Sequence, residues 1–214
     1  YMPAPFLSVI TNDCIRKGKD YNAGGARYNT SYIQGVGIGT VTDSLAAIRR
    51  QVYQEKNVTM GELLQALQED FENDPRILNL VQNFSPKYGN DDDFADSIGL
   101  AIDKLAEDFS KKYSPSLGIK CDFRMVPFTS HVPFGRVVSA TPNGRKAWTP
   151  LSDGSSASHG ADINGPTAVL LSNYNTKNYG MRDRAARMLN IKFTPKCLEG
   201  EQGTEKLVAF IRTF

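Results

Sequence analysis

Apolar residues recur at helical spacing through most of the first half of the chain. From Ala4 to Lys17, the residues Phe6, Leu7, Ile10, Cys14 and Ile15 fall on one side, which predicts a helix. Thr42 or Asp43 stands where a cap would open a second helix through Leu45, Ile48 and Val52. Thr59-Met60-Gly61-Glu62 has the spacing of a capping box ahead of Leu63, Leu64 and Leu67. Asp74-Pro75 puts proline at the first position of a short helix holding Ile77, Leu78 and Val81. Asp91 to Tyr113 predicts a longer helix, acidic at its start and basic at Lys111 and Lys112, as the helix dipole favours. Between the first two helices, Gly24 to Thr40 is glycine-rich and predicts a loop leading into a short buried strand.

The second half changes character. Ile119 to Ser130 predicts a strand, with Asp122, Arg124, Val126 and Phe128 on one face. Cys121, Phe123, Met125 and Pro127 share the other, wholly apolar face. Pro133 to Pro166 is rich in Gly, Pro, Ser, Asn and Asp and has almost no periodicity. A stretch of that kind inside a compact domain is usually functional or wrapped around its neighbours. A helix over Arg182 to Met188, an apolar strand over Leu189 to Phe193 and a last helix over Glu205 to Phe214 follow. No segment has the composition of a linker, so one domain is expected. The chain opens on Tyr1 directly before a helix and closes in a helix without a C-cap, which predicts a piece of a longer polypeptide.

Composition narrows the functional classes. Charged residues make up 22% and hydrophobic ones 40%, as in an ordinary globular protein. A net charge of +2 argues for no polyanionic partner, and the basic residues do not interleave with aromatics as a nucleic-acid surface would. Cys14, Cys121 and Cys197 are odd in number and far apart, which gives neither a disulfide framework nor a zinc site and suits a reducing cytoplasm. No apolar run approaches the ~18 residues of a membrane span, and no secretory signal pattern is present.

Several motifs invite chemistry. Gly35-Val36-Gly37-Ile38-Gly39 has the wrong spacing for a dinucleotide loop and no phosphate-loop Lys-Ser/Thr pair, so it is read as close backbone packing at a strand. His131 and His159 have neither a G-x-S-x-G elbow nor paired metal-ligand spacing, and His159 is read as a loop hydrogen-bonder. Arg124 is different, because a cation in a strand buried on both sides is costly unless an anion meets it. That anion is either Asp122 or a distant carboxylate in a structural pair, or a bound oxyanion gripped by the guanidinium fork.

Three segments carry a family resemblance: GGARYN (Gly24 to Asn29), QGVGIGTVTDSLAAI (Gln34 to Ile48) and TPNGRKAWTPLSDGSSASHGADINGPTA (Thr141 to Ala168). Together, and in this order, they resemble the glycyl radical enzymes, the pyruvate formate-lyase-like superfamily, over the whole chain. The resemblance implies an α/β fold, a partial ten-stranded barrel wrapped in helices, with residues 1–214 as a single segment of the barrel domain. It implies lysis by a cysteine thiyl that a glycyl radical generates, the radical being installed by a separate radical-SAM activase. The catalytic Cys and Glu and the radical Gly are expected outside this chain, so that it is inert alone. Cys197-Leu198-Glu199 looks like the family's Cys-x-Glu but has Lys196 before it and Gly200 after it, and it follows the Thr141 motif rather than preceding it. It is therefore read as a look-alike. The expected company is a small-molecule substrate and the activase, in an anaerobic cytoplasm, with no metal, nucleic acid or membrane; a homodimer is left open.

Within the superfamily, isethionate sulfite-lyases place an Arg and a Phe four apart on a barrel strand, and Arg124-x-x-x-Phe128 is similar to that pattern. The resemblance makes Arg124 the sulfonate clamp and Phe128 the shield of the carbon end. Alternatives within the family are a glycerol or diol dehydratase, an arylacetate decarboxylase or an alkylsuccinate synthase. A non-enzymatic structural or interaction module is the alternative of another class. The Thr141 to Ala168 segment is expected to be scaffold, with Arg145, Asp153 and Asp162 pinning it through charge-assisted bonds. Gly144, Gly154, Gly160 and Gly165 are expected to supply turns with positive φ.

Overall fold

A computed structural model describes residues 2–117, 120–126, 129–177 and 187–213. The chain divides into two compact units, Tyr1–Ile33 with Glu107–Phe123 and Gln34–Ala106 with Arg124–Phe214.

In the first unit the helix expected over Ala4 to Lys17 is broken into α1 (Pro5–Ile10) and α2 (Cys14–Lys17). The break has a local cause. Asp13 sits at φ 77°, a left-handed conformation that Asp tolerates better than most residues. Its carboxylate receives Arg27 and Arg16 at 3.2 Å, which holds it well below the usual carboxylate range, at about 2. Cys14 is buried as expected, whereas Phe6, Ile10 and Ile15 are 77%, 65% and 72% exposed. β1 (Thr30–Gln34) pairs with β2 (Lys120–Arg124), giving a two-stranded sheet among the described residues. The short strand was expected to be buried, yet Ser31, Tyr32 and Ile33 are exposed.

The second unit holds the main core. α3 (Ile38–Ala47) runs without a break into a π-helix (Ile48–Gln54). Its cap is Gly37 at φ 84°, not Thr42 or Asp43, which lie buried inside the helix. A non-glycine residue would be strained at that cap, so the glycine run opens a helix where a strand was expected. α4 (Met60–Gln68) has the expected capping box, with Glu62 N donating to Thr59 Oγ1 at 3.2 Å and Thr59 N to Glu62 Oε2 at 2.7 Å. α5 (Pro75–Asn83) starts on its proline as expected, and α6 spans Asp93–Leu117, its residues from Glu107 on belonging to the first unit. Ala47, Val58, Leu63, Ala66, Phe71, Ile77, Val81 and Ala140 form one apolar cluster, with Ile48, Val52, Leu67 and Leu78 against it. Leu45 and Leu64, placed on the apolar sides by spacing, are exposed.

Beyond β2 the periodicity was uninformative and the structure supplies more helix. α7 (His131–Val137) and α8 (Pro166–Asn175) lie inside or at the edge of the stretch read as structureless. Leu189 to Phe193 forms no strand, and most of the helix expected over Arg182 to Met188 lies outside the described residues. α9 (Gly200–Thr213) starts five residues before the expected helix. Among the described residues no helix is long and apolar enough to cross a membrane.

Two helical glycines separate propensity from packing. A Cβ on Gly39 in α3 would lie 2.8 Å from both Ser156 O and Ser158 N, whereas one on Gly61 in α4 would approach nothing closer than Thr59 Oγ1 at 4.0 Å. Gly61→Ala should therefore be neutral or stabilising by up to ~1 kcal/mol. Gly39→Ala should destabilise by ~1–3 kcal/mol, because backbone must shift to admit the methyl. Urea denaturation of the two variants checks this, and equal midpoints would contradict the close approach.

Candidate functional site

The segment between α7 and α8 is irregular but tightly tied. Arg145 donates to Thr149 O at 2.6 Å, Val138 O at 2.9 Å and Lys146 O at 3.1 Å, and its Nε reaches Thr141 Oγ1 at 3.2 Å. One guanidinium thus satisfies carbonyls that a turn of this shape leaves without backbone partners. The expected charge-assisted bonds of Arg145 exist, and their acceptors are backbone carbonyls and the Thr141 hydroxyl. Asp153 accepts from Asn190 Nδ2 at 2.8 Å and stands 3.5 Å from His131 Nδ1, while Asp162 is exposed. His159 stacks on His131 with ring centroids 6.2 Å apart. All four glycines expected at positive φ have it, between 53° and 89°.

The loop also packs backbone against backbone. A Cβ on Gly135 of α7 would lie 2.3 Å from Thr149 O. Gly39 makes the corresponding approach from α3, so the reading of the glycine run as close packing holds, in a helix and not a strand. Beside Gly39, Thr40 N donates to Ser152 Oγ at 3.0 Å and Ser152 N returns to Thr40 Oγ1 at 2.9 Å.

One turn further on stands Asp43, fully buried. Tyr88 N donates to its Oδ1 at 2.7 Å and Ser158 Oγ to its Oδ2 at 2.5 Å. Burial pushes its carboxyl up to about 6, against the opposing pull of Lys87, Ser158 and Tyr88. Lys87 is lowered by its own burial, partly offset by Asp43. Its Nζ donates to Val81 O at 2.7 Å and Asn143 O at 3.0 Å. Asp43, Lys87, Asn143 and Ser158 line a cavity of about 390 Å³ with Gln82 and His159 at its wall. Tyr88, also buried, donates its hydroxyl to Ser155 O at 2.8 Å.

Sequence reasoning missed this node. By position Asp43 reads as a cap, yet it shares a helix face with Gly39, Ala46 and Ala47, all of them buried. An acid at helical spacing within a buried stripe was the available signal.

Arg124 ends β2 and is half-buried. Its carbonyl accepts from Gly35 N at 2.7 Å. The next residue, Met125, pairs in a parallel bridge with Arg187 and accepts from Met188 N at 2.9 Å. Cys121 and Met125 are buried on the expected apolar face. Phe128 lies outside the described residues. Cys197 is exposed in a 3-10 turn, with Thr194 Oγ1 3.0 Å from its Sγ. Among the described residues no group of three or more His, Cys, Asp and Glu converges as metal ligands would.

Residues 1–135 match the family model described as pyruvate formate lyase-like, and residues 151–214 match the model described as glycine radical. The chain belongs to the pyruvate formate lyase-like family. It is 65% identical to an isethionate sulfite-lyase of Nitratidesulfovibrio vulgaris over 87% of its length, and 45% identical to a trans-4-hydroxy-L-proline dehydratase of Clostridioides difficile over all of it. It spans 22% of the first of these and 27% of the second. Among solved structures it resembles the hydroxyproline dehydratase of Clostridioides difficile with substrate bound, at a TM-score of 0.84 and 44% identity over 99% of this chain and 26% of that one. The glycerol-bound B12-independent glycerol dehydratase of Clostridium butyricum gives 0.85 and 37%, with the same coverage. The first model ends within α7 and the second begins at Leu151, so the part of the tied loop around Arg145 falls between them and the part from Leu151 on lies in the second.

The raised Asp43 carboxyl has a definite sign in stability. The folded state titrates it near 6 and the unfolded chain near 3.8, so the folded state binds more protons in between. Stability from this group should fall as pH rises from about 4 to about 6, by up to roughly 3 kcal/mol, and stay level above that. Asp43→Asn should remove the dependence. Denaturation of both proteins from pH 4 to 8 gives the difference curve, and a flat difference would show that the carboxyl titrates normally.

Proposed function

We propose that this chain is a section of barrel wall from a glycyl radical C–S lyase that splits isethionate into acetaldehyde and sulfite. The carrying observation is the 65% identity to an isethionate sulfite-lyase, well above the 45% to the hydroxyproline dehydratase. An Arg at the end of a strand agrees with the required binding chemistry. In such an enzyme the glycyl radical, acting through a cysteine thiyl, supplies hydrogen-atom abstraction. The radical glycine is expected outside these residues, which are assigned binding and enclosure.

The chain's own part is electrostatic. Isethionate carries one full negative charge on three sulfonate oxygens, and sulfite carries charge as it leaves. A planar guanidinium offers paired donors to both and holds its proton throughout. Arg124 is the residue assigned to this, with the Phe128 ring shielding the two-carbon end on the strength of the sequence pattern. The remaining wall keeps water from a reactive intermediate. A separate radical-SAM activase is the partner this reading requires, and the reaction suits an anaerobic cytoplasm.

The test uses the full-length protein, activated anaerobically and given isethionate. Sulfite and acetaldehyde should form in equal amounts. Arg124→Lys should lower kcat/KM by ~10–100-fold, since an ammonium cannot reproduce a two-pronged contact. Turnover of trans-4-hydroxy-L-proline or glycerol, with no sulfite from isethionate, would move the chain to the dehydratases instead.

A further inference from the structure

We propose that Asp43 is a positioning residue for Arg124, acting on the end of β2 through Tyr88, Ser155 and Met188. This rests on the reading of Arg124 as the sulfonate-binding residue. The connection is continuous. Asp43 holds Tyr88 by its backbone N–H at 2.7 Å, and the Tyr88 hydroxyl donates to Ser155 O at 2.8 Å. Ser155 Oγ donates to Met188 O at 2.5 Å, and Met188 N donates to Met125 O at 2.9 Å. Met125 is the residue after Arg124. The second oxygen of Asp43 holds the same loop at Ser158.

The opposite side of Arg124 is tied to the same helix. Its carbonyl takes the N–H of Gly35, two residues before the Gly37 cap of α3. The helix that carries Asp43 therefore grips Arg124 directly from its N-terminal approach and indirectly through the loop. The loop cannot slide freely along α3, because its backbone is seated on Gly39 and cross-linked to Thr40. Asp43 is the one acidic group among these links. Tyr88 N–H and Ser158 O–H both donate to it in a buried setting, where such bonds are strong and costly to lose. Its removal leaves the buried Tyr88 N–H and the half-buried Ser158 O–H without this acceptor and frees the loop at the point where it braces Met188. A shift of the order of 1 Å in a substrate-binding cation is enough to cost ~10²-fold in rate.

A double-mutant cycle in the full-length, anaerobically activated enzyme tests this, with isethionate as substrate. Asp43→Ala alone should lower kcat/KM by ~10–100-fold. In the Arg124→Lys background it should add less than ~3-fold, because the residue it positions is already gone. Asp43→Asn keeps an acceptor for Tyr88 N–H and should recover most of the loss. Should Asp43→Ala not fold, Ser158→Ala carries the same cycle with a smaller first step. Independent, multiplying effects of Asp43 and Arg124 would overturn the positioning role while leaving the sulfonate reading intact. Unchanged isethionate turnover in Arg124→Lys alone would overturn both.

Discussion

The second unit is organised by the close approach of an irregular loop to the face of α3. Loops that bury backbone must match every N–H and C=O, since an unmet group costs as much as a lost hydrogen bond. Here the matching is done by few side chains. Arg145 collects carbonyls around Thr149, Thr40 exchanges bonds with Ser152, and Asp43 takes two donors at once. Glycines at positions 39 and 135 allow the contact, because a methyl at either would strike backbone. The segment that looks least regular is thus among the most constrained.

Sequence reading succeeded where a signal is local. The capping box at Thr59 and Glu62 and the proline start at Asp74-Pro75 depend on residues within one turn, and both are present. The family motifs are equally local strings, and they placed the chain. Reading failed where tertiary contact overrides the local pattern. α7 contains Pro133 and Gly135, which argue against a helix, yet proline is tolerated in the first turn and the glycine is needed for contact with Thr149. α8 had its start signal in Gly165-Pro166, but its apolar residues form no stripe, so it passed as the end of a loop. Asp43 was visible and misassigned, because a cap and a buried acceptor are the same residue type in sequence.

The buried charges deserve a separate reason. Asp43 and Lys87 are each displaced toward neutrality by burial, so each costs stability at neutral pH. A hydrophobic pair of similar volume could fill the same space at lower cost. What it could not do is hold a loop by its N–H and O–H groups in one register. A retained cost of this kind is expected where geometry must be specific, as it is where a buried loop is held against a helix.

That reasoning bears on Arg124. Alternation along β2 accounts for buried Cys121 and Met125, but it does not say why a cation should end the strand. The hydrogen bonds give half of an answer. The residue is held from Gly35 on one side and, through Met125, from Met188 on the other. A surface arginine gains little from so fixed a backbone, because its flexible side chain finds solvent anyway. An arginine meant to meet a small anion gains much, since the fork delivers its full value only when both prongs arrive together. Fixing the backbone removes the first source of misalignment, which is the role proposed for the links that run back to the Asp43 carboxylate on α3.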